Sequence, residues 1–160
     1  MTKVAILTVS DGVAAGTRQD VSGATIAEWA AARGYEVGSR EVVADETADI
    51  ARVLIAWADG GAVDLILTTG GTGLAARDLT PEATRAVIER EAPGIAEYIR
   101  AKGAAYVPLA VLSRGVAGVR GKALIVNLPG SVGGVKDGLS ALDTIVDHAV
   151  ELLKGHTEHT

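Results

Sequence analysis

Short apolar runs that stop abruptly at polar, glycine-bearing loops constrain this chain most. Lys3–Ser10 carries Val4, Ala5, Ile6 and Leu7 and breaks at Asp11-Gly12; Val63–Thr69 leads into Gly70-Gly71; Lys122–Leu128 ends at Pro129-Gly130. Runs this short, apolar at nearly every position and not at every second one, fit strands covered on both faces. Segments of helical period lie between them. Ile26, Trp29 and Ala30 recur at helical spacing within 24–32, and Ile50, Val53, Leu54 and Trp57 fall at i, i+3, i+4 and i+7 of the segment 47–58. Gly34 stops the first of these helices, and Tyr35–Ala44 reads as a further strand. Strands alternating with helices predict an α/β fold in three layers: a mostly parallel sheet with helices on both faces.

The second half follows the same grammar. Thr80-Pro81-Glu82 predicts a helix start, with Thr80 as cap and Pro81 in the first turn, running to about Glu91. A short helix is expected from Pro93 to Lys102, residues 104–112 are ambiguous, and Gly115, Gly118 and Gly121 predict a turn-rich excursion or loose hairpin. Val135, Leu139, Leu142, Val146, Ala149 and Leu153 share one stripe, which predicts a single final helix. One domain is expected over 1–155, with a flexible tail at 156–160.

Composition narrows the classes of function. A chain of 160 residues fits one domain, and its net charge of −5 argues against a nucleic-acid partner. Without cysteine there is no thiol or disulfide chemistry. The N-terminal apolar run is too short for a signal peptide, and no stretch approaches the ~20 apolar residues of a membrane helix. The expectation is a soluble, cytoplasmic protein with no membrane partner.

In an open parallel sheet, ligands bind beyond the carboxyl ends of the strands. The loops Ser10–Ser22, Ala44–Thr47, Thr68–Thr80 and Asn127–Ser131 are predicted to meet there. Thr69, Gly70, Gly71, Thr72 and Gly73 leave main-chain N–H groups free to form a nest for phosphate, and a helix N-terminus follows. Asp45 and Asp78, each read alone, serve as well for helix capping. Together, at neighbouring strand ends beside a phosphate cradle, they supply the two carboxylates that Mg²⁺ takes along with substrate phosphates. Arg18, Arg77, Arg114 and Lys136 are candidate anion partners, and Asp20 and Ser22 compete to cap the first helix. Two other phosphate motifs fail. Gly71-Thr72-Gly73-Leu74-Ala75-Ala76 fits a dinucleotide fingerprint loosely, but the helix starts too late, at Thr80. Gly121-Lys122-Ala123 lacks both the leading glycine and the hydroxyl of a Walker loop.

These segments in this order resemble the molybdopterin adenylyltransferase family, which includes the bacterial MogA and MoaB proteins and the corresponding domain of gephyrin. The matching stretches are Thr8-Val9-Ser10-Asp11 with Asp20 and Ser22-Gly23; Val42-Val43-Ala44-Asp45-Glu46; Leu67–Gly73 with Arg77–Thr84; Pro93-Gly94; Leu112-Ser113-Arg114; and Asn127-Leu128-Pro129-Gly130-Ser131. The resemblance implies transfer of AMP from Mg-ATP to the phosphate of molybdopterin, with release of pyrophosphate. It implies catalysis and metal binding at Asp45 and Asp78, and nucleotide binding at Thr69–Gly73. It also implies a pterin site formed by Ser10, Asp11, Ser113, Arg114, Asn127, Pro129, Gly130 and Ser131. A homotrimer is implied, with hexamers in some members, and a downstream metal-insertion protein as the product's destination.

Two sites depart from the family pattern. Gly12 stands where arginine is common, and Val132-Gly133 where proline and lysine are common. Two cations are thereby absent, with Lys136 as one replacement. The rival reading that this motivates is a molybdopterin-binding or scaffold protein of the same fold without transfer activity.

Overall fold

The structure is a computed structural model that describes residues 1–157. Six strands form one sheet in the order β2-β1-β3-β6-β5-β4. These are β1 (Lys3–Val9), β2 (Glu36–Val43), β3 (Leu65–Thr69), β4 (Arg90–Glu91), β5 (Ala117–Arg120) and β6 (Ala123–Leu128). The first three and β6 run parallel, while β5 pairs antiparallel with both β6 and β4.

Strand periodicity splits the apolar residues between two faces. On one face Val4, Ile6, Leu65, Leu67, Leu124 and Val126 pack against α2 (Val21–Ala32), α5 (Pro93–Ala104), α6 (Val132–Leu142) and α7 (Val146–Leu153). On the other, Ala5, Leu7, Val9, Ile66 and Ile125 pack against α3 (Thr47–Asp59) and α4 (Thr80–Val87). The three-layer α/β architecture expected from the sequence is therefore the one observed. β3 and β6 are buried along their whole length, including the polar Thr68, Thr69 and Asn127, whereas edge strand β2 is largely exposed.

Four local expectations are corrected. The first loop contains a short helix, α1 (Asp11–Ala14), capped by Ser10. Thr80 is not a cap: the N-cap of α4 is Leu79, and the buried Thr80 hydroxyl donates to the Gly70 carbonyl. That helix ends at Val87, short of Glu91, because Ile88 is extended and Arg90–Glu91 joins the sheet. The single final helix is two, α6 and α7, with Asp143–Ile145 between them. Asp143 there accepts hydrogen bonds from Trp29 Nε1 on α2 and from Arg33 at its C-cap, and Thr144 turns its hydroxyl back onto the Ala141 carbonyl. The ambiguous segment holds a 3₁₀ turn, Pro108–Leu112, and the glycine-rich excursion is the β5–β6 hairpin. Of the expected tail, His156 folds back onto Glu151, and residues 158–160 lie outside the described residues.

Candidate functional site

The parallel strands deliver their four following loops to one end of the sheet, where two cavities open side by side. The first, of 540 Å³, is lined by Thr8, Ser10, Arg18, Asp20, Asp45 and Thr69 among others. The second, of 640 Å³, has Thr72, Gly73 and Pro129 on one side and apolar residues of α5 and the 3₁₀ turn on the other. Gly71, Asp78, Gly130 and Ser131 line both, so they form the rim between the two.

The glycine loop has this shape for steric reasons. Gly70 and Gly71 both have positive φ, +95° and +68°. A Cβ on Gly70 would lie 2.2 Å from the Val9 carbonyl oxygen, and one on Gly71 would lie 2.3 Å from Thr80 Oγ1. Only glycine lets the chain turn this tightly against its neighbours. The expected nest is narrower than the whole loop. Gly70 N–H donates to the Leu128 carbonyl at 3.2 Å, whereas the Gly71, Thr72 and Gly73 N–H groups donate to none of the described residues. Thr69 hydroxyl donates to the Pro129 carbonyl at 2.7 Å and ties the loop to the segment after β6.

Asp45 and Asp78 converge on the first cavity, although their strands are not neighbours: β1 lies between β2 and β3. Neither caps a helix. Asp45 Oδ2 accepts from Asp11 N–H at 2.8 Å, while the N-cap position of α3 is Glu46. Asp78 Oδ2 accepts from Ala75 N–H at 2.9 Å. Each carboxylate keeps its Oδ1 unengaged by the described residues. Burial pushes the Asp45 carboxyl above its usual acidity range, and the negative charges of Asp11 and Asp78 push the same way.

Asp11 faces elsewhere. Its carboxylate is held by Arg77 (2.7 and 3.0 Å) and by Asp45 N–H (2.9 Å), and it lines neither cavity. The Arg77 hydrogen bond is the main reason its pKa falls to about 2. Arg77 also bonds Glu46, so it is committed to protein carboxylates.

Arg114 is likewise committed. Its fork donates to the Gly73 carbonyl (2.8 Å), the Asp78 carbonyl (2.7 Å) and the Glu82 carboxylate (2.8 Å). It clamps the glycine loop from behind. Ser113 lines the second cavity, with its hydroxyl accepting from Gly115 N–H.

Of the segment after β6, Pro129, Gly130 and Ser131 reach the cavities, with Ser131 also capping α6. Asn127 does not. It is buried, donating to the Thr68 and Thr84 hydroxyls and accepting from Val116 N–H, each at 3.0 Å. Lys136 lines neither cavity; Asp137 lines the second instead.

Sequence reasoning did not single out Thr8, whose buried hydroxyl donates to Asp20. Asp20 in turn caps α2, and Ser22 bonds the Gly130 carbonyl at 2.7 Å. It also missed the apolar wall of Ile99, Val107, Leu109 and Leu112. No periodic signal marks the 3₁₀ turn and its flank, which supply three of those four.

Comparison with known proteins identifies the architecture. Residues 5–148 match the family model described as "Probable molybdopterin binding domain". A molybdopterin adenylyltransferase of Helicobacter pylori is 40% identical over 157 residues, covering 96% of this chain and 88% of that protein. The Escherichia coli K12 molybdopterin adenylyltransferase is 39% identical over 88% of this chain and 73% of its own length. The crystal structure of the molybdopterin biosynthesis enzyme MoaB from Thermus thermophilus superposes with a TM-score of 0.92. It is 52% identical, covering 97% of this chain and 98% of its own. With a family model spanning most of its residues and relatives of this similarity along nearly its full length, the chain belongs to the molybdopterin-binding domain family.

Proposed function

We propose that the chain is a molybdopterin adenylyltransferase, transferring AMP from ATP to the terminal phosphate of molybdopterin with release of pyrophosphate. The observation that carries this reading is the rim shared by the two cavities. The unengaged Gly71 N–H and the Asp78 carboxylate sit where two ligands would touch, with Thr72 and Gly73 beside them on the second cavity. Relatives named molybdopterin adenylyltransferase supply the substrate class.

The chemistry is in-line phosphoryl displacement. An oxygen of the pterin phosphate forms a new bond to the α-phosphorus of ATP, and the bond from that phosphorus to the bridging oxygen breaks. Its electron pair leaves on pyrophosphate. The nucleophile is already anionic, so no general base has to be found; positioning and charge compensation are what the protein must provide. Gly71, Thr72 and Gly73 donate N–H groups to phosphate oxygens. Arg114 holds the carbonyls behind them, which keeps the donors aimed forward.

Asp45 and Asp78 fit a magnesium ion carried in with the triphosphate. Two carboxylates, each with one oxygen to spare, match an ion that completes its shell with phosphate and water. Such an ion, when bound, would offset the negative charge that builds on the phosphate oxygens.

A homotrimer is the proposed assembly. Tyr106, Val107, Leu109, Val111 and Leu112 are exposed within one short segment, a concentration of apolar surface that suits a subunit interface. The cytoplasm, where ATP is supplied, is the proposed location, and a metal-insertion protein the proposed recipient of the product. No helix among the described residues is long and apolar enough to cross a membrane.

The deciding assay incubates the purified chain with molybdopterin, ATP and Mg²⁺, and reads pyrophosphate release with AMP transfer to the pterin. Turnover is expected. Tight pterin binding with no pyrophosphate released would instead select the non-catalytic scaffold.

A further inference from the structure

We propose that Arg18 is the phosphate-binding cation of the 540 Å³ cavity, and that glycine at position 12 is what delivers it there. Among the described residues, Arg18 is the sole basic one lining that cavity, whose other charged residues are the carboxylates Asp20, Asp45 and Asp78. Beside the Mg²⁺ that Asp45 and Asp78 would hold, Arg18 is the side-chain cation of the cavity that can meet a phosphate there. The neighbouring arginines are occupied: Arg77 by Asp11 and Glu46, Arg114 by Glu82 and two carbonyls, and Arg40 by Asp20. The Arg18 guanidinium bonds none of the described residues.

An exposed arginine is commonly just solvated, but this one is placed. Three donors converge on the Gly12 carbonyl: Thr17 N–H at 2.9 Å, Thr17 hydroxyl at 3.1 Å and Arg18 N–H at 3.2 Å. They fold the loop back over α1, with the positive φ of Gly16 at its tip. The Arg18 stem then lies directly on Gly12, where a Cβ would come within 2.7 Å of Arg18 Cδ and 3.1 Å of Cγ. Any side chain at position 12 would displace that stem. The cation missing at position 12 is thus replaced from six residues further on, and the planar fork suits a phosphate oxygen pair.

The proposal rests on the phosphoryl-transfer reading, and the phosphate concerned belongs either to the nucleotide or to the pterin. Calorimetry of the full chain with ATP, with adenosine and with molybdopterin separates these sources. Arg18→Gln is expected to weaken the phosphate ligand it contacts by about tenfold or more, the range for losing a charged hydrogen bond. Adenosine binding should not change, and Arg18→Lys should retain part of the affinity. Gly12→Ala should weaken the same ligand as Arg18→Gln does, with no added loss when the two are combined. Circular dichroism on each variant confirms folding. Wild-type affinity for both ATP and molybdopterin in Arg18→Gln overturns the assignment. If the wild-type chain binds both ligands but releases no pyrophosphate, the transferase reading fails while the role of Arg18 in binding is still decided.

Discussion

Asp11 and Asp45 hold each other through a reciprocal pair of hydrogen bonds: Asp11 N–H to Asp45 Oδ2 at 2.8 Å, and Asp45 N–H to Asp11 Oδ1 at 2.9 Å. The start of α1 and the end of β2 are thereby locked together, and one Asp45 oxygen is left for a ligand. Two carboxylates this close tolerate each other because Arg77 neutralises Asp11.

Asp45→Asn should separate stability from activity. The folded-state carboxyl is shifted upward by burial and by its acidic neighbours, so its ionised form costs stability at neutral pH. The variant is expected to melt at or above the wild-type temperature, with the gap closing as pH falls toward the ordinary carboxyl value of 3.8. Adenylylation should fall on the order of a hundredfold. Near-normal turnover would remove Asp45 from the metal site.

Arg77→Gln should free Asp11. With its pKa held to about 2 in the folded state against 3.8 for the unperturbed group, Asp11 stabilises the fold above pH 3.8. That contribution fades as pH falls from there toward 2. The variant should therefore be less stable than wild type at neutral pH and converge with it in strong acid. Carboxyl NMR titration should show Asp11 moving back toward 3.8; an unmoved titration would mean that Arg77 is not its partner in solution.

Arg114→Lys should loosen the glycine loop. A lysine cannot bridge the Gly73 and Asp78 carbonyls and Glu82 together. A loss of about 1–2 kcal/mol is expected in urea unfolding. The accompanying fall in turnover should appear mainly in kcat, because the nest donors lose their aim. A rise in pterin KM alone would argue instead that this guanidinium contacts substrate.

Asn127→Ala addresses a residue that the family resemblance assigns to the pterin. Its amide is fully used inside the protein, and truncation leaves the Val116 N–H and two buried hydroxyls short of a partner. Stability should drop by about 1–3 kcal/mol with the KM for molybdopterin little changed. A large KM effect in a protein of undiminished stability would place Asn127 in direct contact with ligand.

Much of the fold was legible because its signals are local. Val63–Thr69 and Lys122–Leu128 hold consecutive apolar residues, Leu65–Leu67 and Ala123–Val126, without polar alternation, and such runs suit the middle of a sheet. The break at Asp143 was not legible, since the stripe from Val135 to Leu153 carries through it. Contacts from Trp29 and Arg33, more than 100 residues away, accompany the break. Thr80 was misassigned for a similar reason: its best partner is the Gly70 carbonyl, which local capping rules do not see.

The sequence by itself determined the alternation of strands and helices, the glycine loop at the end of β3 and the gathering of loops at one edge, because steric and periodic preferences act over a few residues. Only the tertiary structure decided which charges remain available. Arg77, Arg114 and Arg18 look alike as letters, yet the first two meet Asp11 and Glu82, 66 and 32 residues away, while the third meets a cavity. Charge pairing acts through space, so the available cation is known only once every partner has been placed.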